Sequence, residues 1–282
     1  MFERLSRSWN LVKASASVLQ QDKELLLFPL ISTGALILVT LCFALPMLGL
    51  GALDGLSRGG NGLSTAGYVV AFLFYFAQYF VIFFFNAALV GAAMIRLDGG
   101  NPTVRDGLRI ATSKISVIAG YALIAATVGM ILRVIQERVG FIGKIVVGLI
   151  GMAWNLATYL VVPVLVARNV GPVEAVKESA SIFKETWGEN VVGQVGLGAA
   201  FAFIFACVLI FGIFLIAVAA MAHSAFLIGL AIMLTVLGIA ITALVQAALA
   251  GIYSAALYRY ATSGKETLGF DSGAMKLAFA PK

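Results

Sequence analysis

The sequence predicts an all-α membrane protein. The expected architecture is a polytopic bundle of six transmembrane helices as three hairpins, each preceded by a cytoplasmic amphipathic interfacial helix. Three observations predict it. Hydrophobic residues make up 61% of the 282 and charged residues 11%, where an ordinary soluble protein carries about 25% charged. Mean hydropathy is +1.03. The charges are also segregated, with none between Val191 and Tyr258. Nineteen Lys and Arg with thirteen Asp and Glu cannot give a 29.7 kDa globule the charged skin that water demands.

A hydrocarbon core about 30 Å thick takes roughly 20 apolar residues as helix. Helices satisfy their own backbone groups in lipid. The spans read as approximately 25–48, 67–95, 115–135, 145–167, 191–221 and 226–258. These are solid apolar runs, unlike the alternating ten-residue strands of a β-barrel. Basic residues choose the orientation. With six spans, the outer segments hold only Arg58, Arg133, Arg138 and Lys144, and every other Lys and Arg falls inside. Both termini are therefore expected to be cytoplasmic, with Met221-Ala222-His223-Ser224 as a tight outer turn. A seventh span would carry the basic tail outside. Spans five and six exceed what a bilayer requires, so they tilt or project into water.

A cytoplasmic stretch with helical periodicity precedes each odd-numbered span. Its apolar positions are Phe2, Leu5, Trp9, Val12, Ala16 and Leu19 in the first copy, and Val104, Leu108, Ala111 and Ile115 in the second. In the third they are Val173, Val176, Ala180, Phe183 and Trp187. Asn101-Pro102-Thr103 followed by Asp106 marks a helix start with a capping box, and Gly171-Pro172 marks another. Val12-Lys13-Ala14-Ser15-Ala16-Ser17 parallels Val176-Lys177-Glu178-Ser179-Ala180-Ser181. The organisation is one membrane domain over residues 1–261, in three units of about 1–95, 96–167 and 168–261, with a polar cytoplasmic tail over 262–282. The short helices either lie in the membrane interface or pack together beneath the bundle.

Polar residues inside the spans are the candidate site, because an intramembrane polar group is costly unless paired. Gln78 and Asn86 share one face of the second span. Asn155, Thr158 and Tyr159 share one face of the fourth, and Gln246 and Tyr253 one face of the sixth. Such groups either join helices, at about 0.6 kcal/mol each on average, or line a polar cavity. Pro163 removes a backbone donor and is expected to kink the fourth helix. Arg133 and Glu137, at i and i+4, read as a snorkelling pair. The aromatic run from Phe72 to Phe85 surrounds the second helix, which suggests contact with lipid more than a pore wall. Ala247, Gly251 and Ala255 recur every fourth residue, a small-residue seam for close helix approach within the bundle or between copies.

Much chemistry is excluded. Cys42 and Cys207 lie far apart, and His223 is the single histidine, so no usual metal site is expected. Phosphate-loop and HExxH motifs are missing, and no cofactor is expected. The first residues carry too many charges for a cleavable signal peptide. A net charge of +6 and a pI near 9.4 reflect loop orientation rather than nucleic-acid binding. No acidic residue lies within a predicted span, which disfavours ion-coupled transport.

Three stretches carry a resemblance: Gly99-Gly100-Asn101-Pro102-Thr103-Val104-Arg105-Asp106-Gly107, Trp154 to Pro163 (WNLATYLVVP), and Ala256-Leu257-Tyr258-Arg259-Tyr260-Ala261. Together they resemble an uncharacterised prokaryotic family of six-span membrane proteins, over most of the chain. The resemblance implies a bacterial inner-membrane protein and brings no activity. More distantly, hairpins preceded by amphipathic helices are similar to the membrane domain of some glycerophosphodiester phosphodiesterases. A catalytic phosphodiesterase domain is missing here, so no enzymatic role carries over. The expected function is a non-enzymatic bundle that binds membrane lipids or organises membrane proteins. The alternative is a facilitative channel or exporter for a small or amphiphilic solute.

Overall fold

The computed structural model describes residues 15–49, 65–185 and 187–263. Six helices in it are long and apolar enough to cross a membrane: Lys23–Leu45, Gly67–Leu97, Ile115–Arg138, Phe141–Ala167, Gly196–Met221 and Ala225–Arg259. These are the six expected spans. Phe2, Leu5, Trp9 and Val12 of the first interfacial stripe, the Arg58 loop and the tail from 264 onward lie outside the described residues.

Nine α-helices make up most of the described residues: α1 (Leu27–Gly49), α2 (Thr65–Leu97), α3 (Val104–Ser113), α4 (Ile115–Arg138), α5 (Phe141–Ala157), α6 (Val161–Ala167), α7 (Pro172–Glu185), α8 (Trp187–Met221) and α9 (Ala225–Ser263). A 3₁₀ turn over Lys23–Leu26 leads into α1, and residues 15–21 before it are helical. By packing the chain divides into two compact units.

One unit comprises Leu27–Ala92 and Pro102–Glu185. Its buried residues cluster at one end of its spans: Ala87 to Ala92 on α2, Ile118, Tyr121 and Ala122 on α4, and Leu160 to Leu165 around α6. Two short helices close that end. Thr103 starts α3 with a full capping box: its hydroxyl accepts from the Asp106 amide at 3.3 Å, and the Asp106 carboxylate accepts from the Thr103 amide at 3.1 Å. The Thr103 hydroxyl also donates to that carboxylate at 2.7 Å, which holds the Asp106 carboxyl below its usual range. Gly107 and Ala111 form the buried face of α3. Pro172 opens α7 and packs over Gly120 of α4, where an added Cβ would stand 3.0 Å from the proline ring. Lys114 donates to the Arg168 carbonyl at 2.9 Å and to Asn169, tying the start of α4 to the α6–α7 turn. Away from this end, α1, α4 and α5 expose Leu38, Leu45, Ile131, Leu149 and Ile150, apolar flanks suited to lipid.

The stripe expected on α7 holds at Phe183, which is buried, but is rotated by one residue before it: Val173 is 55% exposed, whereas Ala175 and Ser179 join Phe183 in the buried face. The polar residue at the centre of that face has a specific partner, described below.

The other unit comprises the described residues of Met1–Leu26, Ala93–Asn101 and Thr186–Lys282. The charge-free stretch is an antiparallel hairpin of α8 and α9. Its turn places His223 at φ 52°, in the left-handed region, with Nδ1 2.9 Å from the Met221 carbonyl. Gly212 faces Thr235 and Gly238 faces Val208 across the hairpin. With 39 residues, α9 spans about 58 Å at 1.5 Å per residue, well beyond the bilayer. Its burial is concentrated from Ala248 to Tyr258, and the Lys23–Leu26 turn packs against it. On the small-residue seam, Gly251 and Ala255 are buried within this unit and Ala247 is exposed.

The last turn of α2 also belongs here. Gly99 adopts φ +88°, which lets Gly100 donate to Ile95 and Gly99 to Arg96, both at 2.9 Å. This is the Schellman closure that glycine favours. Arg96 donates to the Gly100 carbonyl at 3.3 Å and to Gln21 at 3.1 Å, and Arg259 pairs with Asp98. Asp22 is 6% exposed and its Oδ2 has no hydrogen-bond partner. Burial pushes its carboxyl above the usual range, against the opposing pull of the Glu24 amide and Arg96. A carboxyl with a raised folded-state pKa stabilises the fold at acid pH and loses that contribution as pH rises through the folded value. Asp22→Asn is therefore expected to raise the melting temperature at pH 7. Its advantage should fade toward pH 4, as measured by thermal unfolding in detergent across that range.

Candidate functional site

The fourth span is two helices. α5 stops at Ala157 and α6 starts at Val161. In a continuous helix the Pro163 ring would collide with the Tyr159 carbonyl and leave it without a donor. A fresh start at Val161 puts Pro163 in the first turn of α6, where a missing N–H costs nothing. The connecting residues make tight turns, Tyr159 donating to Leu156 at 3.3 Å and Val161 to Thr158 at 3.1 Å.

A break inside a buried segment strands backbone groups. Two of them are met by one side chain from α7. The Ser179 hydroxyl donates to the Ala157 carbonyl at 2.7 Å and accepts from the Leu160 amide at 3.1 Å. Ser179 and Leu160 are both fully buried.

Beside the break lies a cavity of about 660 Å³ between α2, α4 and α5–α6. Tyr75, Tyr79, Phe83 and Asn86 line it from α2, and Tyr121, Ala125, Gly129, Arg133 and Gln136 from α4. Trp154, Asn155, Thr158 and Tyr159 complete the wall. The break forms one end, and Arg133 with Gln136 the other. Small residues on α4 make the space: an added Cβ on Gly129 would stand 3.1 Å from the Tyr79 hydroxyl. Phe83 and Tyr121 pack ring to ring at 4.5 Å, and the Thr158 hydroxyl donates to the Trp154 carbonyl at 2.8 Å. Arg133 is the one charged residue in this lining, which contains no carboxylate.

A second, smaller pocket of about 330 Å³ adjoins it, lined by Thr40, Phe43, Ala44, Tyr68, Phe74 and Met130 among others. Tyr75 and Arg133 line both spaces. The Arg133 guanidinium donates to the Tyr75 hydroxyl, lies 5.8 Å from the centre of that ring, and pairs with Glu137 at 3.1 Å.

Of the polar residues singled out in the sequence, the structure brings Asn86, Asn155, Thr158 and Tyr159 to one cavity. Gln78 is elsewhere: its amide donates to Thr40 of α1 at 2.9 Å, joining two helices. Gln246 and Tyr253 lie on α9 in the other unit, Gln246 half-buried and Tyr253 buried. The aromatic run does not act alike on all sides, because Tyr75, Tyr79 and Phe83 form a stripe facing the cavity. Sequence reasoning missed Tyr121, Gln136 and the cavity role of Arg133. The signal was the spacing Tyr121, Ala125, Gly129, Arg133, in which two small residues every fourth position separate two large polar ones. It missed Ser179 because a serine on a polar helix carries no mark of its partner. Among the described residues no cluster of His, Cys, Asp or Glu is suited to hold a metal ion, and Cys42 and Cys207 are exposed free thiols.

No curated protein and no solved structure matches the chain. The distant likeness to phosphodiesterase membrane domains therefore stands unsupported. A family model described as a family of unknown function, DUF6159, matches residues 65–269. That interval takes in both proline-marked helix starts, the broken fourth span and the α8–α9 hairpin, and the chain belongs to this family.

Proposed function

We propose that this is a non-enzymatic membrane protein that binds an amphiphile, a membrane lipid first of all, in the cavity beside the broken fourth span. One observation carries the reading: a polar cavity and an apolar pocket meet at a shared wall of Tyr75 and Arg133. A molecule with a polar head and a hydrocarbon part finds partners for both. Asn86, Asn155, Thr158 and the tyrosines offer hydrogen bonds to the head, and Phe43, Phe74 and Met130 offer apolar contact to the tail. Concave sites with a few convergent polar groups are the usual form of small-ligand pockets.

The test is lipid analysis of protein purified in mild detergent. The wild type should retain a defined lipid. Asn86→Leu with Asn155→Leu, which fills the cavity and removes two amides, should retain about tenfold less, equivalent to about 1.4 kcal/mol. Equal retention by the variant, or no retained amphiphile in the wild type, would sink the reading.

A second reading draws on the break itself. Irregular backbone at membrane depth is tolerated where it is buried in protein or lines a water-filled space, and broken helices frame transport sites in many carriers. Passage of a small solute through this cavity would show as flux into proteoliposomes above that of protein-free vesicles, and the double variant would reduce it.

A further inference from the structure

We propose that α7 is a latch on the binding site, with Ser179 as a positioning residue that fixes the geometry of the break in the fourth span and thereby sets Thr158 and Tyr159 in the cavity wall. The inference rests on the reading of the cavity as a binding site, and adds to it an element that touches no ligand.

The chain of contact is short. α7 runs back along α6, and the ion pair of Arg168 with Glu178 at 3.0 Å ties the two together. Ser179 then meets the last carbonyl of α5 and the residue just before α6. Between those two bonds lie only Thr158 and Tyr159, and both line the cavity. Thr158 donates its hydroxyl to the Trp154 carbonyl at 2.8 Å. The two lining residues are thus held by their own turn bonds and, from behind, by a single hydroxyl that bonds on either side of them. Without that hydroxyl, a buried donor and a buried acceptor lose their partner and carry the full cost of their desolvation. Pro163 bars a continuous helix, so the relief left open is to admit water or to turn the connecting residues, and either would move Thr158 and Tyr159 out of place.

The position of Ser179 on α7 supports a dedicated role. It sits at the centre of the buried face, between Ala175 and Phe183, where packing alone would favour an apolar residue. Ser181, two positions on, is exposed. The parallel between the first and third interfacial stretches sets Ser15 opposite Ser179; Ser15 is likewise fully buried, but its hydroxyl has no hydrogen-bond partner, so the two bonds to the broken span are particular to Ser179.

The experiment uses the full chain in nanodiscs, with Trp9→Phe and Trp187→Phe so that Trp154 is the single tryptophan. Four variants are compared: Ser179→Ala, Ser179→Cys, which keeps the side-chain shape but bonds weakly, Ser179→Thr, which keeps the hydroxyl, and Ser181→Ala as the exposed control. Three readouts are taken: amide hydrogen exchange over residues 157–162, the emission of Trp154 in the cavity wall, and the amount of retained lipid. Ser179→Ala and Ser179→Cys should speed exchange about tenfold, shift Trp154 emission and reduce lipid retention. Ser179→Thr and Ser181→Ala should leave all three near wild type. If Ser179→Ala does not fold, Ser179→Cys decides. Unchanged exchange and emission in Ser179→Cys would overturn the latch. Faster exchange with full lipid retention would overturn the positioning role and leave the binding reading standing. Absence of lipid from the wild type would overturn the binding reading, while exchange and emission still decide whether Ser179 holds the break.

Discussion

Gly107→Ala is expected to destabilise the unit built from α1 to α7 by roughly 2–3 kcal/mol, through overpacking at a site that cannot yield. A methyl group there would stand 2.6 Å from the Ala88 carbonyl oxygen and 2.5 Å from the Phe28 ring. Phe28 is 1% exposed and Ala88 fully buried, so neither neighbour has room to retreat. Alanine normally gains up to about 1 kcal/mol over glycine inside a helix, and the clash outweighs that gain. Thermal unfolding of the purified variant should show a clear drop. Gly148→Ala on α5 is the control: nothing lies within 4 Å of its added methyl, so propensity alone should leave it neutral or slightly more stable. A Gly107→Ala protein as stable as wild type would mean that α3 does not press on α2 as closely as drawn.

The second large effect is expected at Gly212. Its added Cβ would stand 2.3 Å from Thr235 Cγ2 and 3.0 Å from Thr235 Cβ. The threonine cannot easily rotate away, because its hydroxyl donates to the Ala231 carbonyl at 2.7 Å. In lipid there is no hydrophobic drive between helices, so close packing at small residues carries the association. Gly212→Val should therefore separate α8 from α9 and cost about 1–3 kcal/mol. Thr235→Ala alone should be mild, and combined with Gly212→Val it should restore part of the loss. A coupling of about 0.5 kcal/mol or more between the two is the expected signature of direct contact. Strict additivity would place the clash elsewhere.

Most of the fold was legible because a membrane simplifies the code. Lipid demands long uncharged helices, so Val191 to Tyr258 could only be apolar helix, and the bias of basic residues, which predicts both termini on one side, made a hairpin the expectation. Cap chemistry was legible for the same kind of reason: Thr103 with Asp106, and glycine before proline, act through local backbone geometry that sequence spacing controls. The site was legible by halves. Asn155, Thr158 and Tyr159 share one helix face, and the structure keeps them together. Gln78 and Asn86 also share a face, yet they part, since Gln78 finds Thr40 on the neighbouring helix. Periodicity reports which residues point together along one helix, and it is silent on which helix stands opposite. The one-residue rotation of α7 has a similar origin. Apolar pattern alone chose Val173 and Val176, but the unmet backbone of the broken span is a stronger demand on that surface than another valine contact. Pro163 announced a disturbance, and what resolves that disturbance sits on another helix.

The broken span also bears on how the protein is made. The Leu160 amide finds its partner 19 residues further along the chain. At the usual pace of synthesis, about 5–20 residues per second, that separation corresponds to roughly one to four seconds. During this interval the fourth span has left the ribosome with a backbone that is complete in sequence but unpaired at its centre. Its settled form waits for α7, so the final packing of this segment follows the synthesis of that helix.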